Sequence, residues 1–433
     1  MRWSIASGCV LQPSSERPTR VRYWVIFFAV TLSIVTYIDR VCISVVTPSI
    51  QKDLAISDKQ MGFCLGAFAL AYSLFEMPGG FMGDRWGPRR VLLRIVVWWS
   101  CFTAATGFAF NRFALMTTQF MFGAGEAGCF PNLTRAFHTW LPVKERVRAQ
   151  GIMWLSARWG GAFTPPLVIW VVSYVGWRHA FPIFGGLGIV WAVAFFAWFR
   201  DDPAQNPNLN AAERELLRLH AGAPVAHTSI SWEKLLSSRA VWMLCWQYFF
   251  LSYGWYFYIT WLPKYLRQGR HMNLMQSAWL GVLPLFFGGI GNMAGVVLGA
   301  RVARATGSVP RARRYVAYLG FLGASSFLVL STRMQDPVMA VVSIAMASFC
   351  NDLVMPGAWG TAMDVGGVYC GTLSGAMNMW GNFAGFLAPV VTGFILDWGH
   401  ENWDLTFYVS AAIYLMGIVC WAFLDSGEKL EAA

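Results

Sequence analysis

Five charged side chains stand alone inside otherwise apolar stretches of the chain, and these residues are the best placed to do chemistry. They are Asp39, Arg40, Glu126 and Arg158, with Glu76 nearer the end of its stretch. A charge in hydrocarbon is costly unless it is paired or faces a wet cavity, so such residues mark function by default. A shielded carboxylate can load and release a proton, and an arginine offers a planar fork of donors to an anion. The set predicts an anion site, with Arg40 and Arg158 binding the anion and Asp39 and Glu126 carrying protons.

A purely structural role for these charges is the alternative. Asp39 with Arg40, or Glu126 with either arginine, could form ion pairs that lock neighbouring helices together. Such a pair can also act as a gate that opens in sequence with ligand binding. The residues alone leave these roles open.

The composition excludes a soluble protein. Of the 433 residues, 56% are hydrophobic and 13% are charged, whereas soluble domains carry about 25% charged residues. A soluble globular enzyme, a disordered tail and a disulfide-stapled secreted domain are therefore excluded. The nine cysteines and six histidines show no ligand spacing, so neither a metal nor a cofactor is expected.

Twelve apolar stretches predict an all-α polytopic membrane protein. Each is long enough to cross a hydrocarbon layer about 30 Å thick, and each must be helical because lipid leaves no partner for an unpaired backbone. Their continuous apolar character argues against a β-barrel. The stretches are 21–49, 60–82, 91–110, 113–139, 149–176, 178–199, 239–266, 277–302, 313–332, 337–362, 371–396 and 403–424.

One long polar segment, 200–238, divides the spans six and six. Within it, Asn210 is expected to cap a short surface helix that runs to His220. The predicted organisation has two tails, two six-helix halves and a central loop. These are a tail 1–20, a first half 21–199, the loop 200–238, a second half 239–424 and a tail 425–433.

The distribution of basic residues predicts the orientation. Of the 33 Lys and Arg residues, 23 fall on the side that holds both tails and the central loop, and 8 fall on the opposite side. The positive-inside rule therefore places both termini in the cytoplasm. The net charge of +11 then reflects topology, and nucleic acid is excluded as a partner.

The two halves contain one matching motif. A Gly-x-x-x-Pro string occurs at Gly161–Pro165 in the fifth span and at Gly385–Pro389 in the eleventh. Corresponding positions in two six-helix halves are expected of a parallel repeat about an axis along the membrane normal. The order of the two spans therefore supports an internal repeat.

A short loop after the second span combines glycines, an aspartate and arginines. Glycine permits close helix approach and tight turns, and an aspartate with arginines can form a charge latch at a helix end. The loop is therefore predicted to act in gating. Its residues are Gly83, Asp84, Arg85, Gly87, Arg89 and Arg90.

This loop closely resembles the loop signature of the major facilitator superfamily. Other strings narrow the resemblance to its anion:cation symporter branch, and the resemblance runs over about 20–425. That branch includes bacterial hexuronate, glucarate and galactonate carriers and animal sialic-acid and vesicular glutamate carriers. The strings are Tyr37–Arg40, Gly123–Pro131, 249–266 and 363–382.

The resemblance implies two six-helix bundles around a central cavity. It also implies alternating access, transport of an organic anion such as a hexonate, hexarate or hexuronate driven by protons, and a monomer in the inner (plasma) membrane. By match to family positions, polar and aromatic side chains would complete the substrate site. They are Tyr72, Gln247, Trp359, Ser374, Asn378 and Asn382.

The chain departs from the family pattern at two positions. Gln119 stands where the branch usually carries an arginine, and Ala300 stands where an aspartate is common. We keep Gln119 in the substrate site and hypothesise that Arg158 restores the missing charge. The alternatives are a less negatively charged substrate, or a different coupling that makes the chain an exchanger or a uniporter.

Two other classes of protein are weighed against a transporter. None of the six lysines is followed by Ser or Thr, so the nucleotide-binding motif of an ATP-driven pump is absent. A membrane-embedded transferase would want a catalytic motif such as His-Glu-x-x-His or Gly-x-Ser-x-Gly, and neither occurs. The sequence does not name the anion, because one carboxylate or a few hydroxyls separate the candidates.

Overall fold

Helices account for nearly all of the described chain. The computed structural model describes residues 17–220, 232–398 and 402–424, and no strand occurs in these ranges. Most of the predicted tail 1–20, part of the loop 200–238 and the whole tail 425–433 lie outside the described residues.

The first half contains six helices, and two short ones follow in the central segment. α1 is Trp24–Leu54, α2 Asp58–Trp86, α3 Pro88–Thr106, α4 Arg112–Glu126, α5 Cys129–Trp140, α6 Val143–Trp198, α7 Ala211–His220 and α8 Trp232–Ser237.

The second half has the same all-helical character. α9 is Arg239–Thr260, α10 Leu262–Lys264, α11 Leu274–Gly281, α12 Leu283–Thr306, α13 Val309–Arg333, α14 Pro337–Gly366, α15 Cys370–Trp398 and α16 Trp403–Phe423.

All twelve predicted spans are largely helical, but their boundaries differ from the prediction. The fourth span is broken in two, because Gly128 takes a left-handed φ of +83° between α4 and α5. The fifth and sixth spans form one helical stretch, α6, with a kink at Gly176, where φ is +74°. The predicted surface helix is confirmed as α7, and Asn210 Oδ1 accepts the Glu213 N–H at 2.9 Å as its cap.

Seven helical stretches in the described residues are long and apolar enough to cross a membrane. Two of these, Val143–Trp198 with 56 residues and Pro337–Leu396 with 60, are each long enough for two crossings of about 20 residues. The third, fourth and seventh predicted spans are not among the seven. Three arginines at the start of α3 and the break at Gly128 interrupt the apolar character of the third and fourth spans, and α9 is rich in Trp and Tyr, which lower its mean hydropathy.

The packing of the helices defines where a site can form. Within the first half, α6 packs on α1 and α3, and α4 packs on α2 and α3. Within the second half, α14 packs on α12 and α13, and α9 packs on α15 and α16. The halves meet where α2 contacts α15 and where α6 contacts α12 and α14. The exact division of the chain into domains stays a prediction.

Candidate functional site

A small polar cavity lies between the two halves. It comprises about 460 Å³ of space outside protein atoms, part of which is open to solvent, and about 50 Å³ of it admits the centre of a water molecule. One water needs roughly 10–15 Å³ on that measure, so a few waters or one compact ligand would fit. Five of the predicted site residues line it, namely Arg40, Tyr72, Arg158, Asn378 and Asn382.

The repeated Gly-x-x-x-Pro motif brings a tyrosine to the cavity from each half. Gly161 on α6 lies directly against the ring of Tyr37 on α1, and Gly385 on α15 lies against Tyr256 on α9. A side chain at either glycine would collide with the ring. Both tyrosines line the cavity, so the motif lets two pairs of helices approach closely around it.

Arg40 faces the cavity with most of its hydrogen-bond donors unused. Its Nε donates to Glu126 Oε1 at 2.6 Å, which joins α1 to the end of α4. The ring of Tyr72 lies 4.4 Å from the guanidinium carbon. Among the described residues, nothing accepts a hydrogen bond from Nη2 of Arg40, and nothing donates to Oε2 of Glu126. The pair is balanced in charge and still leaves donors for an anion.

The break in the fourth span sets this geometry. α4 ends at Glu126, and Gly128 then adopts the left-handed conformation that glycine takes without strain. Its Cα lies so close to the backbone of Gly79 on α2 that neither residue could carry a Cβ. α2 therefore packs directly on the break, and the carboxylate of Glu126 stays fully buried beside Arg40.

Arg158 is also in an ion pair, and its partner belongs to the other half. Nε and Nη2 of Arg158 on α6 donate to the two carboxylate oxygens of Asp352 on α14, at 2.8 and 3.0 Å. The ring of Trp255 lies 4.4 Å from the guanidinium carbon. Asp352 was not predicted. Its position halfway along an apolar helix is the signal that identifies it.

Two hydrogen bonds, one between the halves and one within the second half, fix polar groups at one wall of the cavity. Asn378 Nδ2 on α15 donates to Glu76 Oε1 on α2 at 2.7 Å. The hydroxyl of Tyr256 donates to Asn382 Oδ1 at 2.7 Å. Glu76 is fully buried, and no described residue donates to its second oxygen. Glu76 therefore belongs to the site, although the sequence suggested a place nearer a helix end.

The arginine-rich end of the bundle is closed by contacts between the halves. Asp84, at the end of α2, accepts the backbone N–H groups of Gly371 and Thr372 at 3.0 and 2.6 Å. The Thr372 hydroxyl also donates to Asp84, at 2.7 Å, and Nε of Arg135 lies 3.6 Å away. Asp84 thus caps α15, where a carboxylate is favourable. Gly83 keeps α2 close to α5 at this point.

The remaining loop residues shape the turn between α2 and α3. Gly87 has a φ of +84°, which favours glycine. The guanidinium of Arg89 donates to the Phe196 carbonyl at 3.1 and 2.8 Å, and Arg85 and Arg90 are exposed. The latch at Asp84 is therefore made with α15 and Arg135 and not with the arginines of its own loop.

Three predicted substrate or proton residues of the first half lie outside the cavity lining, and one of them is Glu126, which is fully buried next to Arg40. The other two are Asp39 and Gln119. Asp39 Oδ2 accepts the Trp99 indole N–H at 3.0 Å, between α1 and α3. Gln119 Nε2 donates to the Thr106 hydroxyl at 3.1 Å, between α4 and α3. Their roles in proton coupling and substrate binding stay predictions.

Three predicted residues of the second half are also buried away from the cavity lining. Gln247 Oε1 accepts the Trp421 indole N–H at 3.2 Å, and Ser374 donates to a carbonyl of its own helix. Trp359 donates to the Tyr248 hydroxyl at 3.2 Å. Because Tyr248 lines the cavity, Trp359 supports the wall from behind.

Six aromatic residues of the lining were not in the predicted site: Tyr37, Phe130, Trp154, Tyr248, Trp255 and Tyr256. The last three, with Ser252, share one face of α9, at the spacing expected for a helix. The signal was present in the sequence. With 23 Trp and 14 Tyr in the chain, however, many aromatic faces look alike.

Comparison with known proteins defines the class. The family model of the Major Facilitator Superfamily matches residues 29–389, and the chain belongs to this family of secondary transporters. It is a multi-pass membrane protein and not an enzyme. A probable sulfoacetate transporter of Cupriavidus necator is 34% identical, with 94% of each chain covered. A probable galactarate/D-glucarate transporter of Escherichia coli is 30% identical, with 88% of this chain and 89% of that protein covered.

The fold agrees with solved transporters. The structure of a proton:xylose symporter superposes with a TM-score of 0.72 at 13% identity, with 95% of this chain and 98% of that chain covered. This similarity shows the major facilitator fold, with its twelve helices in two six-helix bundles.

Proposed function

We propose that this transporter carries a small organic anion into the cell together with protons, by alternating access. The observation that carries the proposal is the Arg40–Glu126 pair, whose arginine lines the cavity and has unused donors while its carboxylate is fully buried. An anion that binds these donors competes with Glu126 for the guanidinium. A buried carboxylate left without its partner is strongly disfavoured as an ion, so Glu126 takes up a proton. Anion binding and proton binding are thereby coupled.

The cavity supports a compact, polar cargo. Its space admits only a few water-sized groups, and its walls combine two guanidinium groups with tyrosine, tryptophan and asparagine side chains. Arginines suit carboxylate or sulfonate groups, and the amides and phenols suit hydroxyls. The named cargoes of the relatives, sulfoacetate and galactarate or D-glucarate, are of this kind. We therefore propose a sugar acid or a similarly small organic acid as cargo.

The closed end supports alternating access. The contacts of Asp84 with α15 seal the arginine-rich end, which the charge distribution predicts to be cytoplasmic. In this conformation the cavity is closed toward the cytoplasm, and import requires these contacts to break in the next step. We propose that the transporter works in this way in the inner membrane, as a monomer with both termini inside.

Proteoliposomes that contain the purified protein test the proposal. An acid-outside pH gradient is imposed, and uptake of labelled galactonate, galactarate, glucuronate, succinate and sulfoacetate is recorded with internal pH. Saturable uptake of one group with internal acidification is expected. Uptake without acidification, or only against trans-loaded anion, would contradict proton symport and support a uniporter or an exchanger. Protein-free liposomes give the background.

A further inference from the structure

Two arginine–carboxylate pairs, and not one, border the same cavity. Arg40 pairs with Glu126, and Arg158 pairs with Asp352. Both arginines line the cavity, and each retains donor capacity. Nη1 of Arg158, like Nη2 of Arg40, has no hydrogen-bond acceptor among the described residues. The site therefore presents two guanidinium groups to the cavity, and each of them is paired with its own carboxylate until an anion binds.

The two arginines lie at different depths along the bundle. α1 and α6 run in the same direction, because Arg22 contacts Glu145 near their starts and Trp177 bonds to Asp53 near the end of α1. Tyr37, one turn before Arg40, packs on Gly161, one turn after Arg158. Arg40 lies three residues beyond this contact on α1, and Arg158 lies three residues before it on α6. At 1.5 Å per residue, the backbones of the two arginines are therefore about 9 Å apart along the helix axes. Two anionic groups could be bound one above the other.

The charge balance requires protons for such binding. Each pair is neutral as it stands, so the described cavity offers no net positive charge to an incoming anion. A doubly charged substrate that engages both arginines leaves Glu126 and Asp352 buried without partners. Two protons then restore neutrality, one on each carboxylate. Without these protons, Glu126 and Asp352 would both be buried and ionised beside a bound dianion, which is strongly disfavoured.

The surroundings of Asp352 are compatible with a bound proton. Arg158 faces it from α6, and the amide of the preceding residue, Asn351, donates to Oδ1 at 3.1 Å. The phenol groups of Tyr258 on α9 and Tyr414 on α16 also interact electrostatically with the carboxylate of Asp352. Gly288 on α12 adds no charge beside it. Arg158 is the cation paired with Asp352, so an anion that engages Arg158 leaves this buried carboxylate without its counter-charge.

We propose that Arg158 and Asp352 form a second acid-recognition subsite. The substrate then carries two acid groups, carboxylate or sulfonate, and enters with two protons. The proposal rests on the proposed function and specifies its substrate class. Arg40 binds one acid group and Arg158 binds the other, while Asp352 carries the second proton. Anions with one acid group leave the Arg158–Asp352 pair intact and enter with one proton.

The test compares substrates that differ in one acid group, in proteoliposomes that contain the unaltered protein. The probes are labelled galactarate against galactonate and sulfoacetate against acetate, with proton entry counted per anion. We expect the two-acid member of at least one pair to be preferred by roughly 10- to 100-fold, the value of one charge-assisted interaction, and to bring two protons. Equal uptake of both members of each pair would overturn the proposal and leave the proposed function standing. Absence of proton-coupled uptake for all four would overturn both.

A charge-neutral double variant provides the second arm. Arg158→Gln with Asp352→Asn removes both charges of the subsite, and Arg218→Gln with Glu215→Gln removes the exposed pair on α7 as the matched control. The first variant should lose the preference for two-acid over one-acid anions and bring one proton with each anion that it still carries. The control should keep the preference and the count of two. An equal loss of one-acid and two-acid uptake in the first variant would contradict a subsite.

Discussion

At the scale of single residues, the buried carboxylates differ in how completely their charge is satisfied. Asp39 accepts a tryptophan N–H but has no cation within hydrogen-bond distance among the described residues, whereas Glu126 is paired with Arg40, which lines the cavity. A proton carrier for an anion has to sense the anion, and only a carboxylate that shares a cation with the substrate does so directly. This difference favours Glu126 over Asp39 as the coupling residue.

Glu126→Gln should therefore uncouple transport without abolishing it. Glutamine keeps the shape and can still accept a hydrogen bond from Arg40, but it cannot exchange a proton. A one-unit pH gradient is worth about 1.4 kcal/mol, or about tenfold accumulation, for each coupled proton. We expect accumulation of the transported anion to fall by about this factor, while counterflow exchange of the labelled anion continues.

The matched control is Glu215→Gln, at an exposed carboxylate whose cation is Arg218. This variant should accumulate the anion as the unaltered protein does. Undiminished pH-driven accumulation in Glu126→Gln would contradict the coupling role. Asp39 would then be the candidate for the proton-coupling residue.

At the scale of elements, the glycine between α4 and α5 determines where Glu126 points. Gly128 combines a left-handed φ with backbone contact to Gly79. Gly176 shares the left-handed φ but has open space around its Cα, and Gly186 has open space and a helical conformation. Gly176 is therefore a control for backbone strain without a steric collision, and Gly186 is a control that has neither.

Alanine substitutions at these three positions should separate the two effects. Gly186→Ala should leave stability unchanged or raise it by up to about 1 kcal/mol, and Gly176→Ala, with φ +74° and ψ +164°, should cost about 1–3 kcal/mol from backbone strain alone. Gly128→Ala should be the most damaging, because overpacking adds about 1–3 kcal/mol to a left-handed strain of about 1–2 kcal/mol. Thermal unfolding in detergent, followed by size-exclusion chromatography, measures the order. Equal stability of the Gly128 and Gly176 variants would show that the contact with Gly79 is not tight.

The contact of α2 with the start of α15 is the second element-scale feature. Asp84 caps α15 across the boundary between the halves, and a cap is worth about 0.5–2 kcal/mol. Asp84→Asn keeps one acceptor oxygen but loses the charge. We expect the arginine-rich end to open more often, roughly 3- to 30-fold.

Cys370 provides a native reporter of that opening. It is fully buried beside Arg135 in the closed end, so its rate of reaction with a maleimide, followed by peptide mass spectrometry, measures exposure. The control is Asp202→Asn, because Asp202 caps only a short turn in its own segment. Faster labelling should occur in Asp84→Asn alone. An unchanged rate there would indicate that Asp84 does not hold the end closed.

At the scale of the whole molecule, the sequence predicted how deep a residue lies along its span better than it predicted which way the side chain points. The positions of charges along apolar stretches predicted Arg40 and Arg158 at a central cavity, and both line the cavity of the structure. The fold class follows from the number of helices and the charge distribution. The sequence did not show which side of a helix faces the cavity. Gln119 and Gln247 lie in mid-span but point to α3 and α16. When most faces of a helix are apolar, its orientation is decided by packing among all its neighbours, and no single helix encodes it.

The orientation of the whole molecule is the remaining prediction, and it fixes the direction of transport. With 23 basic residues on one side and 8 on the other, the arginine-rich end should face the cytoplasm. The closed end then faces inward, and substrate enters the cavity from outside. Arg218→Cys and Arg333→Cys remove one positive charge each from opposite ends, in a chain whose native cysteines are replaced by serine. In intact cells an impermeant maleimide should label position 333, and position 218 only after permeabilisation. The reverse pattern would mean that the closed end faces outward, and the structure would then represent the inward-facing state of the transport cycle.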